Sequence, residues 1–541
     1  MQYILLVGLV EAALLQPAMQ AVNFATGHGR VQPRMGAEEA VGSETRFEIL
    51  DGRVLTPGSS GDGWWDARCA AMPVVLPPPS DGAKWRCFYY GRPAATWNSE
   101  LPAFLPTGIS GLAESDDGLN WSRVKGPLAE GAVLRPSDDP MAFDYVHVGL
   151  TDVVPLAGGS FAGLYLGGSA EEVSLGMGPG PIQGFKMRPG AATSRDGVRW
   201  ERAAEANPLL DVGAPGAWDS NFCSWPRALP LDPAQPDGEW LMTYHALMPP
   251  GTDGESEAGD APRWAVGAAV SASGHALGPY TKLNDGGGGP VLRGGAKGSF
   301  DEAGIGTRHV VHDPRGDGGL VMVYEGVGAD GRHRLGVATS ADGGRSWAKV
   351  EGLGPDPGGP IFEGAPPESD AWDNGNVGTP WVMPLPGDGS TAWRLYYVGT
   401  SSKGRTVAIG AAESAELLSA DWVRVKTSCS GLCVDERDAQ GETSLIIAAE
   451  RADVAAVQTL LAAGADPAAA SLSGWTALHG AAECGSSEVI ELLTSAGADV
   501  TAQTTSTGKT ALDIARQYER PEAAAALVAL DAPANVTACV A

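Results

Sequence analysis

Three carboxylates and a set of nitrogen bases recur at related places in this chain. Asp66, Asp152 and Glu325 lie far apart along 541 residues, yet each falls within a repeating pattern. Two carboxyls on opposite sides of one bond can divide acid and base duty, one giving a proton while the other activates water or attacks. The roles expected are Asp66 or Asp152 as base and charge stabiliser, and Glu325 as proton donor. In the same pattern stand His147, Asn221, Arg227, His245, Arg308, His309, Asn376 and Trp381. Guanidinium forks match anions, an indole offers a flat apolar face, and the remaining polar groups can bridge hydroxyls. A pocket of these types suits a sugar, and an anionic one if Arg227 and Arg308 converge. Cys429 and Cys433 form a lone C-x3-C, and a zinc site needs four ligands, so neither a metal nor another cofactor is expected.

The elements that position these residues repeat five times. Each copy opens with an aromatic–Asp pair: Trp65-Asp66, Phe143-Asp144, Trp218-Asp219, Phe300-Asp301 and Trp372-Asp373. The steps from Asp to Asp are 78, 75, 82 and 72 residues. A small residue and then an apolar pair follow, as a strand would read. Three further runs complete each copy, exemplified by WRCFYYG (85–91), GLAESDDGLNW (111–121) and WSRV (121–124). Four strands per unit and five units in series predict an all-β five-bladed propeller over 45–427, with the opening strands lining a central channel. RFEILDGRVL (46–55) could add a closing strand to the last unit.

Positions where the copies agree should serve the scaffold, and positions where they differ are free to serve a ligand. Eight residues after the opening Asp the copies read Val74, Asp152, Arg227, His309 and Trp381, the most diverse position in the repeat. The five recurrent aspartates read as scaffold, with Asp66 kept open as a base. Asp117, Asp196 and Asp342 sit in S-x-D-G turns, where a carboxylate can accept backbone N–H bonds and close a hairpin.

From Asp438 alanine replaces glycine and a 33-residue period appears. GWTALHGAA (474–482) and AGAD at 463–466 and 496–499 closely resemble ankyrin repeats, which implies an all-α C-terminal domain of about three repeats over 438–532. Each pair of short helices in such a repeat buries its Ala and Leu faces only by stacking. The resemblance also implies a protein partner. Residues 428–437 read as a linker and 533–541 as a tail.

The charge, 37 Lys and Arg against 65 Asp and Glu, repels phosphate backbones and excludes nucleic acid as a partner. No stretch is long and apolar enough to span a bilayer. Residues 1–44 read as a targeting or disordered extension, with an apolar run broken by Glu11 and then Arg30 and Arg34. That pattern favours plastid or cytoplasm over secretion.

The strand order, the YYG run, the S-x-D-G-x-x-W turns and SASGHALGPYTKL (271–283) resemble the five-bladed clan of arabinanases, levansucrases and invertases. SADGGRSW (340–347) has the spacing of the sialidase Asp-box. The clan resemblance implies a glycosyl hydrolase fold with a base or nucleophile in blade 1, a stabiliser in blade 2 and a general-acid Glu in blade 3. Here the blade 1 and blade 3 positions fall on Met72-Pro73 and Trp225-Pro226, and blade 2 offers Asp152. Two functions follow: a carbohydrate-binding or carbohydrate-hydrolysing propeller joined to an ankyrin module, or a non-catalytic scaffold whose ankyrin repeats hold a protein partner.

Overall fold

Alternation and aromatic content turn the predicted runs into strands. The chain is described here by a computed structural model over residues 52–425 and 442–531, apart from 59–64, 67–68, 93–107, 129–130, 175–180, 204–206, 253–261, 273, 284–288, 354–357, 370, 387–391, 402–406, 463–464, 472 and 506. The expected N-terminal extension, the linker and the C-terminal tail lie outside the described residues, as do Cys429 and Cys433. Between Ala70 and Arg424 an antiparallel four-strand meander recurs. Its first strands are Ala70–Leu76, His147–Pro155, Ser224–Pro230, Gly304–His312 and Asn376–Pro384. Each pairs with a second strand, such as Trp85–Gly91 or Leu320–Val327, whose side chains are almost wholly buried on both faces. A single parallel bridge, Trp264 to Gly304, joins the third and fourth meanders into one hydrogen-bonded sheet.

First strands of successive meanders pack side by side, and the last packs beside the first. Side chains reinforce that closure: Arg394 Nη1 donates to the Asp117 carbonyl at 3.0 Å and Tyr396 Oη to the Gly118 carbonyl at 2.8 Å. Arg53–Leu55 runs antiparallel to the third strand of the last meander, Val407–Ser414, so the first and last parts of the described β region meet in one sheet.

The recurrent aspartates have one role. Asp66 accepts from Tyr89 Oη at 2.8 Å and from Arg123 Nε at 2.9 Å. Asp144 does the same with Tyr165 and Arg202, Asp219 with Tyr244 and Lys282, Asp301 with Tyr324 and Lys349, and Asp373 with Tyr397 and Arg424. The aromatic residue before each Asp lies against the same tyrosine, with ring centroids 4.8 to 6.1 Å apart. Carboxylate, phenol and cation thus tie the start of each meander to its second and fourth strands. The close fit explains the repeated glycines. A Cβ on Gly399 would stand 2.3 Å from the Trp372 ring, and one on Gly190 2.3 Å from the Tyr165 ring. Asp66, kept open as a base, takes the same two kinds of partner as its four counterparts, a tyrosine and a cation, while its Oδ1 has no hydrogen bond among the described residues.

The S-x-D-G turns are structural as expected. Asp196 Oδ1 accepts from the backbone of Val198 and Arg199 at 2.8 Å each, and Asp342 Oδ1 from Arg345 and Ser346 at 3.0 and 2.9 Å. Trp200 and Trp347 then donate their indole N–H to Gly197 and Gly344 carbonyls, pinning ring to turn.

The C-terminal region is helical, in three pairs: Ser444–Glu450 with Val454–Ala462, Ala477–Cys484 with Ser487–Ser495, and Ala511–Gln517 with Pro521–Asp531. Thr443, Thr476 and Thr510 occupy the same N-cap position in each pair and satisfy first-turn N–H groups that would otherwise lack partners. Leu445, Ile446, Leu478, Ile490, Leu493, Ile514 and Leu527 form one continuous core through all three pairs. His479 couples two of them, sharing a proton with Thr476 Oγ1 at 2.8 Å and donating from Nε2 to the Lys509 carbonyl at 3.1 Å.

Candidate functional site

Every first strand of the meanders slips register once against its second strand, at Ala71/Val74, Leu150/Asp152, Ser224/Arg227, Ile305/Arg308 and Gly378/Trp381. A bulge re-aims side chains, so residues before and after it reach different spaces. Three bulges are strained: Met72, Trp225 and Thr379 have φ of 55, 52 and 43°, a region costly for side chains with a Cβ, and each precedes a proline. All three line one cavity together with Thr307, the bulge residue of the fourth meander.

This first cavity is walled by Tyr90, Phe185, Trp225 and Trp264, and receives His147, His245 and Glu325 of the expected set. His147 donates from Nε2 to the Gly184 carbonyl, 2.9 Å away, and burial holds its pKa down to about 4. His245 sits among Phe222, Trp225 and Trp264, with ring centroids 5.8, 5.0 and 5.1 Å away. Burial, with Arg308 nearby, pushes it well below the ordinary histidine value. Both imidazoles are therefore neutral at pH 7.

Glu325 departs from its expected part. His333 Nδ1 lies 2.5 Å from Oε1, while Oε2 accepts from Thr307 Oγ1 and, at 3.1 Å, from the Thr379 N–H. Burial alone would raise its pKa, but these bonds outweigh it and hold the group below the ordinary carboxylate value. A carboxylate fixed by three donors is a poor proton donor, and its bonds instead join the bulges of the fourth and fifth meanders. Asn376 Oδ1 accepts the backbone N–H of His333 at 3.0 Å.

Past the bulges, Asp152, Arg227, His309 and Trp381 converge on a second cavity of about 300 Å³ within the ring of first strands. With Val74 they are structurally equivalent: each stands opposite the residue preceding the scaffold tyrosine, namely Phe88, Leu164, Thr243, Val323 and Tyr396. Trp381, expected to stack on a sugar, is taken up by protein groups. His309 stacks on it at 4.0 Å, and the Arg227 guanidinium lies 4.7 Å from its centroid. Asp152 Oδ2 accepts the Ala228 N–H at 2.8 Å, and burial, opposed by Arg227, raises its pKa to about 6. Arg308, one residue before His309, donates from Nε to Thr243 Oγ1 at 3.1 Å and from Nη2 to the Trp225 carbonyl at 2.5 Å. It thereby links the channel strands to the strained bulge of the first cavity.

Asn221 lines neither space and bonds to the Leu247 carbonyl at 3.2 Å. Among the described residues each cavity is lined by a single carboxyl, Glu325 in one and Asp152 in the other. Sequence reasoning missed Trp225, Trp264, Thr307, His333 and Thr379 as lining residues. The signal for His333 and Trp264 was present, because the opening residues of the third strands differ as widely among copies as the channel position does. Among the described residues no group of three His, Cys, Asp or Glu side chains could hold a metal ion. No described helix is long and apolar enough to cross a membrane.

Among solved structures, similarity is found to a glycosyl hydrolase from Bacteroides ovatus, at 16% identity over 68% of this chain and 93% of that one, with a TM-score of 0.45. A second, described as one of the GH130 mannoside phosphorylases and hydrolases that target β-1,2 mannosidic linkages in Candida mannan, has 16% identity over 67% and 91% and the same TM-score of 0.45. At that level of superposition neither likeness bears on this chain's chemistry. The curated proteins contain no match. The family described as ankyrin repeats matches residues 409–504 and 445–538, with three copies. Its first range begins on the strand Val407–Ser414, so the structural start of the repeats is the helix at Ser444. The helical C-terminal region of this chain is therefore a set of ankyrin repeats.

Proposed function

We propose that the β region is a five-bladed propeller whose first cavity binds a carbohydrate without hydrolysing it, and that the ankyrin repeats hold a protein partner. The observation that carries the reading is a concentration of unsatisfied polar atoms. His147 Nδ1, Trp225 Nε1, both ring nitrogens of His245 and Thr379 Oγ1 are buried with no hydrogen bond of normal geometry among the described residues. All belong to side chains that line the aromatic-walled first cavity. Buried donors and acceptors left unpaired cost about 1 to 3 kcal/mol each, and a ligand carrying several hydroxyls on an apolar ring face would meet them.

Hydrolysis by the usual route needs two carboxyls flanking the bond. Among the described residues Glu325 is the one carboxyl lining its cavity, and it is committed to three donors; the positions that the clan resemblance makes acidic carry Met72 and Trp225. A second reading, hydrolysis through the channel, draws on Asp152, whose pKa of about 6 suits a general acid. Among the described residues the wall of that cavity carries no second carboxyl. Calorimetric titration of the full chain with a panel of mono- and oligosaccharides tests the proposal. Binding of at least one sugar, weakened tenfold or more in Trp225→Ala and His245→Ala, is expected. Turnover of any furanoside or sialoside that disappears in Asp152→Asn would overturn it.

A further inference from the structure

We propose that the channel cavity beside Arg227 and His309 is a second site, built for a tetrahedral oxyanion such as inorganic phosphate or the phosphoryl group of a small metabolite. This inference is independent of the carbohydrate reading, because the two cavities share no lining residue. Arg227 is 2% exposed, and its Nε, Nη1 and Nη2 have no hydrogen-bond partner among the described residues. A buried guanidinium normally has its five N–H groups paired, since leaving a charge and its donors unmet costs several kcal/mol. This one is held in place by the Trp381 ring, 4.7 Å from Cζ, with its fork uncommitted.

Neighbouring groups extend the same field. Arg308 is fully buried, keeps Nη1 unpartnered among the described residues, and lies close enough to feel the charge of Arg227. His309 Nδ1 accepts the Val382 N–H at 3.1 Å, which leaves the proton of the neutral ring on Nε2 as a further donor. His309 is stacked on Trp381, so this donor too is held rigidly. Asp152 is the one acid on the wall among the described residues, and its Oδ2 is occupied by the Ala228 N–H. Arg227 is the guanidinium on the cavity wall among the described residues, and Asp152 is the carboxyl that faces its charge, in a protein whose formal charge is −28. The lining runs out to Pro155, Pro230 and His312 at the ends of the first strands, where burial gives way to exposure, so the cavity has an entrance of its own. A forked guanidinium matches an oxyanion in a way that a spherical halide does not.

The test is calorimetric titration of the full chain with inorganic phosphate, sulfate and chloride at matched ionic strength. Saturable binding of phosphate or sulfate with one ion per chain is expected, with chloride at least tenfold weaker. Arg227→Met should abolish the heat, and Arg227→Lys, which keeps the charge but loses the fork, should weaken binding at least tenfold with folding intact. His147→Gln, in the other cavity, should leave the phosphate isotherm unchanged. The proposal is overturned by an adventitious response, meaning phosphate binding that Arg227→Met or Arg227→Lys retains, by chloride binding as well as phosphate, or by no saturable binding at all.

Discussion

Each Asp–Tyr–cation cluster is anchored by an Asp just before a first strand, and the channel position lies on that strand eight residues on, yet the two have opposite characters. In the clusters the residue types hardly change and the polar groups meet: each carboxylate accepts from a phenol and from an Arg or Lys. At the channel position the types are Val74, Asp152, Arg227, His309 and Trp381, and a guanidinium is left with three nitrogens that have no hydrogen-bond partner among the described residues. Repetition with satisfied bonding marks what holds the molecule together. Divergence with unsatisfied bonding marks what it is free to bind.

The comparison breaks first at the clusters. Asp301→Ala would leave the Tyr324 hydroxyl and the Lys349 ammonium without their shared acceptor, beside a side chain that is 1% exposed. Removing one partner of a buried ion pair costs about 3 to 5 kcal/mol, which urea denaturation would register as a lower midpoint. A loss under 1 kcal/mol would mean that the clusters are ornament rather than scaffold.

A somewhat smaller effect sharpens the contrast from the side of the first cavity. The pKa of His147 is lowered from 6.5 to about 4, so the folded state binds fewer protons than the unfolded state between those values. Stability from this group is present above pH 6.5 and is lost as pH falls towards 4, by roughly 3 kcal/mol at most. Asp152 runs the other way, since its raised pKa favours the folded state below 3.8 and this advantage is lost as pH rises to about 6. His147→Gln should therefore flatten the acid limb of a stability–pH profile, and an unchanged slope would mean that the imidazole is not held neutral. The smallest expected change is at Arg227, where replacing a buried guanidinium that makes no hydrogen bond among the described residues, beside an Asp152 largely protonated at pH 5.5, with Met should stabilise the ligand-free protein by about 1 kcal/mol.

Much of this was legible in the chain. The aromatic–Asp pairs, the YYG-type runs and the fourth-strand runs such as WSRV named every member of the clusters, and 33-residue spacing named the helix pairs. Which members touch was not legible, because Asp66 meets Tyr89 and Arg123 across 23 and 57 residues of chain and only the sheet brings them together. Comparing the copies did gather Asp152, Arg227, His309 and Trp381, since all four occupy one register position in equivalent strands. It also drew in His147, His245 and Glu325, which belong to another space. A bulge shifts side-chain direction by one step, and the strained φ at Met72, Trp225 and Thr379 that turns them towards the first cavity leaves no mark in composition. Trp381 shows the same limit: an indole in a channel reads as a platform for a ligand, yet His309 and Arg227 already occupy it.

The most direct measurement of the central claim is the urea midpoint of Asp301→Ala and Arg227→Met against the parent chain, in phosphate-free buffer at pH 5.5. Opposite signs are predicted, with Asp301→Ala lowering the midpoint and Arg227→Met raising it. If both substitutions lower it by similar amounts, the channel arginine is scaffold like the clusters, and the distinction between what binds the fold and what binds a ligand fails.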